Sequence, residues 1–271
     1  MVARPQRQRL TVSSFTFTHV GGPTALLEVD GWRILTDPTF DAPGRTYAFG
    51  WGTSSRKTAG PALSVEEVGE VDAVLLSHDH HADNLDDSGR AMLAGVPAVL
   101  TTVPGARRLG APAQGLSPWE VTTLTHPDRP ALTVTATPGR HGPVGAQALV
   151  GAVTGFSLTW EGQEHGAVWV TGDTVLTSAV RRVAERVQVG TVVLHLGGVR
   201  FPTTGPVRFT MTVNDGRELC RELRPRTVLP VHHEGWSHFR DSAAALERPE
   251  LAPDGGRTVW AEPGRPLVVE V

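Results

Sequence analysis

An apolar run, Ala73-Val-Leu-Leu76, passes directly into Ser77-His-Asp-His-His-Ala-Asp-Asn-Leu-Asp86, so three histidines and three aspartates follow what reads as a buried strand. A short apolar run with polar ends fits a strand covered on both faces, as in a parallel sheet. Crowding ionisable groups at its end is costly unless something cationic neutralises them. Imidazole and carboxylate together are the donor set of Zn²⁺ and related divalent ions. A solvated polar loop suits isolated histidines better than it suits this cluster. The run therefore points to a metal site at a strand end.

The flanking sequence supplies a repeated pattern. Thr24-Ala-Leu-Leu-Glu-Val and Trp32-Arg-Ile-Leu-Thr flank Asp30-Gly31, a strong two-residue hairpin signal. The second of these strands stops at Asp37-Pro38, where proline cannot continue the ladder. Thr154-Gly-Phe-Ser-Leu-Thr-Trp and Ala167-Val-Trp-Val-Thr repeat the arrangement and end at Gly172-Asp173. After the first hairpin come the strand at 72–77, a helix over about 84–95 and the strand Pro97-Ala-Val-Leu-Thr. After the second come a helix over 174–188, the strand Thr191-Val-Val-Leu, a helix over about 213–224 and the strand Thr227-Val-Leu-Pro-Val. Thr212 and Asp215 form a capping-box pair, and Pro225 closes that helix. Residues 103–130, rich in proline, glycine and alanine, are expected as surface loops around one strand. The chain thus reads as two similar α/β halves, with their sheets packed face to face and helices outside.

Further candidate ligands stand where other strands end. His141 follows Leu132-Thr-Val-Thr-Ala, Asp173 ends Val168-Trp-Val-Thr-Gly, and His232 ends Val228-Leu-Pro-Val. Functional loops of α/β sheets gather at the carboxyl ends of strands, so these side chains are expected to converge. His195 ends Val192-Val-Leu and, with Arg200, is a candidate for touching substrate. Asp37 is a candidate for holding a ligand histidine by its other ring nitrogen. His233, Glu234 and His238 surround Trp236 and suggest a pocket wall.

In this order the motifs resemble the metallo-β-lactamase superfamily, especially the branch of ascorbate-6-phosphate lactonase and the N-acylphosphatidylethanolamine phospholipase D enzymes. The resemblance rests on His19-Val-Gly-Gly-Pro-Thr, Ile34-Leu-Thr-Asp-Pro38, Ser77-His-Asp-His, His141, Gly172-Asp173-Thr174 and Pro230-Val-His232, and spans nearly the whole chain. It implies a four-layer αβ/βα sandwich and one domain over 1–271, with 1–10 expected as a disordered tail. It also implies a metal-dependent hydrolase using one or two Zn²⁺ ions, with Mn²⁺ as the harder alternative. The implied ligands are His78, His80, Asp83, His141, Asp173 and His232, with Asp83 also orienting the attacking hydroxide.

One departure bears on the chemistry. The family's His-x-His-x-Asp-His loop is lengthened here by one residue, and Asn84 stands where a second-site histidine belongs. Two registers are open. One takes His78 and His80 with an insertion before Asp83; the other takes Asp79, His81, Asp83 and Asn84. Asparagine is a weaker Zn²⁺ ligand than imidazole, so a degenerate metal-binding protein without turnover is the competing expectation.

The formal net charge of −3 offers no basic excess for nucleic acid, so a small-molecule or lipid-like substrate is expected and a nuclease is the further alternative. Met1–Leu10 lacks the apolar core of a signal peptide, and no run is long enough to span a bilayer. Cys220 is the only cysteine, which favours a reducing compartment and makes the cytoplasm the expected one. It sits among Leu219 and Leu223 and is expected as a packed side chain.

Overall fold

The structure is a computed structural model that describes residues 13–271 except 51, 146–149, 242–244 and 246. The tail expected to be disordered lies outside the described residues. The first hairpin forms as its turn chemistry requires. Strands β2 (Thr24–Val29) and β3 (Trp32–Thr36) are joined at Asp30 and Gly31, whose φ angles of 45° and 86° are the two positive values a type I′ turn needs. With β1 (Ser14–Gly21) they make an antiparallel meander. From β3 the sheet continues in parallel through β6 (Ala73–Leu75), β7 (Ala98–Thr102) and β8 (Ala113–Leu116). Between β3 and β6 lie a separate hairpin of β4 (Thr46–Gly50) and β5 (Thr53–Arg56) and the short helix α1 (Val65–Val68). Helices α2 (Asp87–Met92) and α3 (Val103–Leu109) flank β7 in the sequence.

The second half repeats this topology. β10 (Arg129–Pro138), β11 (Thr154–Thr159) and β12 (Ala167–Val170) are antiparallel, and β13 (Val189–His195), β14 (Thr227–Val231) and β15 (Arg257–Thr258) follow in parallel. Each meander gains an antiparallel outer strand: β16 (Pro266–Glu270) pairs with β1, and β9 (Val121–His126) with β10. The orders are β16-β1-β2-β3-β6-β7-β8 and β15-β14-β13-β12-β11-β10-β9. The expectation of two equivalent halves holds strand for strand.

Alternate residues of the central strands enter different cores, which is why these strands read as unbroken apolar runs. Ile34 and Leu75 of the first sheet meet Val134, Phe156 and Val193 of the second in a core between the sheets. Leu35, Val74 and Leu76 face Val68, Leu85 and Leu93 on the outer side of the first sheet. Val192 and Leu194 pack outward against Val180, Val183 and Leu219 of α4 (Ser178–Arg181), α5 (Val183–Arg186) and α6 (Val213–Leu223). The result is the αβ/βα sandwich.

Two expectations are corrected. The helix expected over 174–188 is two short pieces, α4 and α5; its face of Val175, Val183 and Val187 is β-branched and weakly helical. Residues 103–130 hold a helix and two strands rather than loops, because Pro104 occupies the first turn of α3, where its missing N–H costs nothing, and Thr102 caps it. The capping box of α6 is present, and Arg224 closes that helix in the left-handed conformation ahead of Pro225. Cys220 is packed in α6, and burial pushes its thiol up to about 12.

α2 lies so close to the Asp37-Pro38 turn that a Cβ on Gly89 would fall 1.9 Å from the Pro38 carbonyl oxygen. Gly89→Ala is therefore expected to displace α2 and to cost about 2 kcal/mol of stability, measurable by denaturant unfolding.

Candidate metal centre

The ends of the strands converge between the two halves. Asp37 follows β3, His78 follows β6, His141 follows β10, Asp173 follows β12, His195 closes β13 and His232 follows β14. Two donor groups result. His78, His81 and His141 form one, and Asp83, Asp173 and His232 the other, with the ligand atoms of each group within 4.8 Å of one another. In the first, His81 Nδ1 is 3.0 Å from His78 Nε2 and 3.2 Å from His141 Nε2. In the second, His232 Nε2 is 3.1 Å from Asp173 Oδ2 and 3.4 Å from Asp83 Oδ2. Nitrogen and oxygen donors about 2.0–2.1 Å from a tetrahedral ion sit about 3.3 Å apart, so the spacing matches a coordination shell.

The hydrogen bonds behind the ligands reinforce this fit. His141 Nδ1 donates to the Phe209 carbonyl at 2.9 Å and His232 Nδ1 donates to the Leu196 carbonyl at 3.0 Å. A carbonyl only accepts, so the Nε2 atom of each neutral ring carries a lone pair turned toward the site. Asp173 Oδ1 is buried and has no hydrogen-bond partner among the described residues. Lone pairs and carboxylates gathered in a buried site suit a bound cation.

The electrostatics give each group the protonation state of a ligand. Burial and the neighbouring His141 lower His81 to about 3, and burial with His81 and His141 holds His78 well below the usual imidazole range. Burial alone would raise Asp83 and Asp173, but His238 and His232 beside the first, and His232 beside the second, outweigh it and keep both ionised. His232 is the exception. Burial opposes its charge, yet Asp173 and Asp83 push it well above its ordinary value, so this position holds a proton if it does not hold a metal.

The structure draws on both registers of the lengthened loop. The donor groups contain His78 from one and His81 from the other, with Asp83 common to both. The backbone turns here, with the Asn84 and Leu85 N–H groups donating to the His81 carbonyl, and the extra residue is absorbed between His78 and His81. His80 is left outside both groups. Its ring is partly exposed, and Nδ1 lies 3.5 Å from Asp79. Asp79 accepts two bonds from Arg108 of α3, at 2.6 and 2.8 Å. Asp86 pairs with the buried ammonium of Lys57 at 2.8 Å. Of the three aspartates in the run, protein cations neutralise two, and only Asp83 faces the metal groups. Asn84 is buried against it. In one amide orientation its NH₂ donates to Asp37 and Ser77, each at 3.3 Å; turned over, it would donate to Asp173 at 3.1 Å and Asp83 at 3.3 Å.

Three further expectations change. His195 does not reach the substrate space; it is buried with Nε2 3.3 Å from Asp37 and Nδ1 3.4 Å from Thr171. Arg200 is exposed and does not line the cavity; the side chains of its loop that turn inward are Val199 and Phe201. Asp37 holds no ligand ring directly. It accepts from the Ser77 N–H at 2.6 Å, and Ser77 Oγ lies 3.0 Å from His78 Nδ1, so its support passes through Ser77. Burial raises the Asp37 carboxyl in spite of His195.

Sequence reasoning missed the contact of His238, whose Nε2 lies 2.9 Å from Asp83 Oδ2 while its Nδ1 meets Ser55 of β5. A pocket-wall histidine was legible beside Trp236, but not its reach to an aspartate in the other half. Groups that hold a ligand are worth about 10–100-fold in metal affinity. His238→Phe is expected to show that loss in a chelator competition, and His238→Gln, which retains a donor, to recover part of it. Beside Asp83, His81 and His141 opens a cavity of about 260 Å³, whose walls include Phe49, Phe201 and Phe209, packed against His81, His238 and His141 respectively.

A sequence family described as "Beta-lactamase superfamily domain" matches residues 32–233. The "Uncharacterized protein Rv0906" of Mycobacterium tuberculosis is 34% identical over 146 residues, which cover 52% of this chain and 36% of that one. The chain thus matches only about a third of the length of that relative. A "UPF0173 metal-dependent hydrolase" of Pyrobaculum neutrophilum is 27% identical over 252 residues, covering 90% of this chain and 95% of the relative. Among solved structures, an isothiocyanate hydrolase from Delia radicum gut bacteria superposes with a TM-score of 0.74 at 22% identity, over 94% of this chain and 100% of that one. Igni18, a metallo hydrolase from Ignicoccus hospitalis, gives 0.68 at 21% identity over 96% and 100%. At these identities the likeness is one of fold.

Proposed function

Since this chain belongs to the β-lactamase superfamily, we propose that it is a metal-dependent hydrolase of carboxylic esters or lactones, within the lactonase-like part of that superfamily. The observation that carries this reading is the pair of buried donor groups opening together on one cavity. Relatives named as metal-dependent hydrolases over most of their length support it. The core shared by both sheets favours one domain.

The three imidazoles of His78, His81 and His141 suit Zn²⁺, while the oxygen-rich group of Asp83, Asp173 and His232, beside Asn84, also suits a harder ion such as Mn²⁺. Bound there, a divalent ion supplies a Lewis acid that polarises the scissile carbonyl and makes water a nucleophile near neutral pH. The chain's own groups do the rest. Asp83, ionised and held by His238, orients the attacking water. Asp173 contacts His232 and feels the charge of His78, so it stands where it serves both groups. The Phe209 and Leu196 carbonyls fix the rings of His141 and His232. The apolar walls keep bulk water from the reacting bond.

The test is metal analysis of the purified protein, followed by turnover assays with Zn²⁺ or Mn²⁺ on a panel of lactones, carboxylic esters and phosphodiesters. Bound metal with lactone or ester turnover is the expected result. Bound metal with no turnover on any member would replace the hydrolase by a binding protein, and turnover confined to phosphodiesters would replace the bond.

A further inference from the structure

We propose that the part of the substrate remote from the reacting bond is an uncharged apolar group, a short acyl chain or a phenyl ring, seated in the cavity beside the metal centre; the proposal rests on the hydrolytic reading above. Three observations carry it. The cavity holds about 260 Å³, and an apolar cavity of roughly 150 Å³ accepts benzene, so a phenyl group or a chain of several carbons fits. Its walls are mostly hydrocarbon: Phe201 lies 5.8 Å from Phe49 and 5.9 Å from Phe209, ring centre to ring centre, and Val150, Val199 and Val207 add aliphatic surface, with the hydroxyls of Thr53 and Thr204 the polar side chains away from the metal centre. Among the described residues that line it there is no lysine or arginine.

The last point decides between substrate classes. A phosphate or carboxylate remote from the scissile bond would lose its hydration here and find no cation in return. Of the cations next to the lining in sequence or space, Lys57 is held in its buried pair with Asp86, Arg140 donates to the Gly142 carbonyl, and Arg200 and Arg208 are exposed. A sugar-phosphate lactone is therefore disfavoured, while a neutral ester or lactone with an apolar acyl part is favoured. The polar side of the cavity, at His81, Asp83, His141 and His238, is where the ester group itself lies. Hydrolysis breaks the acyl C–O bond, joins the acyl carbon to the oxygen of water, delivers one of the water's protons to the leaving oxygen and releases the other to solvent as the product acid ionises. The new carboxylate thus forms at the metal end, away from the hydrocarbon.

The test uses p-nitrophenyl acetate, butyrate and hexanoate with the metal-loaded protein, together with the mono-p-nitrophenyl ester of adipic acid, which adds a terminal carboxylate at the hexanoate length. Each added methylene is expected to raise kcat/KM about fourfold, and the terminal carboxylate to lower it by at least about a hundredfold. Val207→Lys, which places an ammonium on the far wall, is expected to narrow or invert that preference. Calorimetric binding of hexanamide against adipic acid monoamide asks the same question without turnover. If no ester is cleaved but hexanamide binds more tightly, the reaction assignment fails and the apolar site stands. A flat dependence on chain length, or equal or tighter binding of the carboxylate-tailed compounds to the unmodified protein, overturns the proposal.

Discussion

Replacing Asp173 with alanine is expected to remove one bound metal equivalent and to lower hydrolytic turnover at least about a thousandfold, or roughly 4 kcal/mol of barrier. Asp173 is fully buried, lies 3.1 Å from His232 and has one carboxylate oxygen with no hydrogen-bond partner among the described residues, which leaves that oxygen available to a metal. Elemental analysis after dialysis, combined with turnover at saturating Zn²⁺ or Mn²⁺, measures both effects. Survival of both in the variant would show that the site is misassigned. The lengthened loop allows a sharper contrast. His81→Ala is expected to deplete metal as His141→Ala does, because their nitrogens stand 3.2 Å apart. His80→Ala, outside both donor groups, is expected to leave metal content unchanged. The opposite pattern would restore the register in which His80 is the ligand.

Lys57→Met is expected to cost about 3 kcal/mol of folding stability, because it leaves the Asp86 carboxylate buried without its ammonium. Both side chains are almost completely enclosed, at 3% and 0% exposure, which makes this pair unlike the surface ion pairs. The Phe40, Asp41 and Gly89 N–H groups still donate to Asp86, and they hold the loss at the lower end of the range for broken buried pairs. For a chain of this size the melting temperature is expected to fall by roughly 6–12 °C. Scanning calorimetry measures it, and a change below 1 kcal/mol would mean that the pair contributes nothing net. Lys57→Met with Asp86→Asn, which removes both charges, is expected to recover part of the loss. Since Asp86 also caps α2 directly after the ligand loop, the single variant is expected to weaken metal binding as well.

Much of the architecture is legible in the sequence. Asp30-Gly31 marks a type I′ turn because few other dipeptides accept two positive φ values, and the apolar runs at 73–76 and 191–194 mark strands covered on both faces. The positions of His141, Asp173 and His232 at strand ends were legible for the same reason: a strand that stops abruptly in a polar residue delivers it to the sheet edge. The choice among His78, His80 and His81 was not. Side-chain direction follows a fixed period only in regular backbone, and the segment after β6 is an irregular turn. His195 misled for the opposite reason: its strand-end position is as expected, but at that point the neighbouring space is filled by Asp37 and Thr171.

By itself the sequence determined where strands begin and stop, that they fall into two similar halves, and that ionisable groups gather at their ends. These are local consequences of turn chemistry and hydrophobic period. Only the tertiary structure decided which charges the protein neutralises itself. Arg108 takes Asp79 and Lys57 takes Asp86, and what remains for a metal is His78, His81 and His141 with Asp83, Asp173 and His232. It also decided that His238 holds Asp83 and that the adjoining space is hydrocarbon. These pairings join residues far apart in the chain. They depend on distance and burial after folding, which no local pattern encodes.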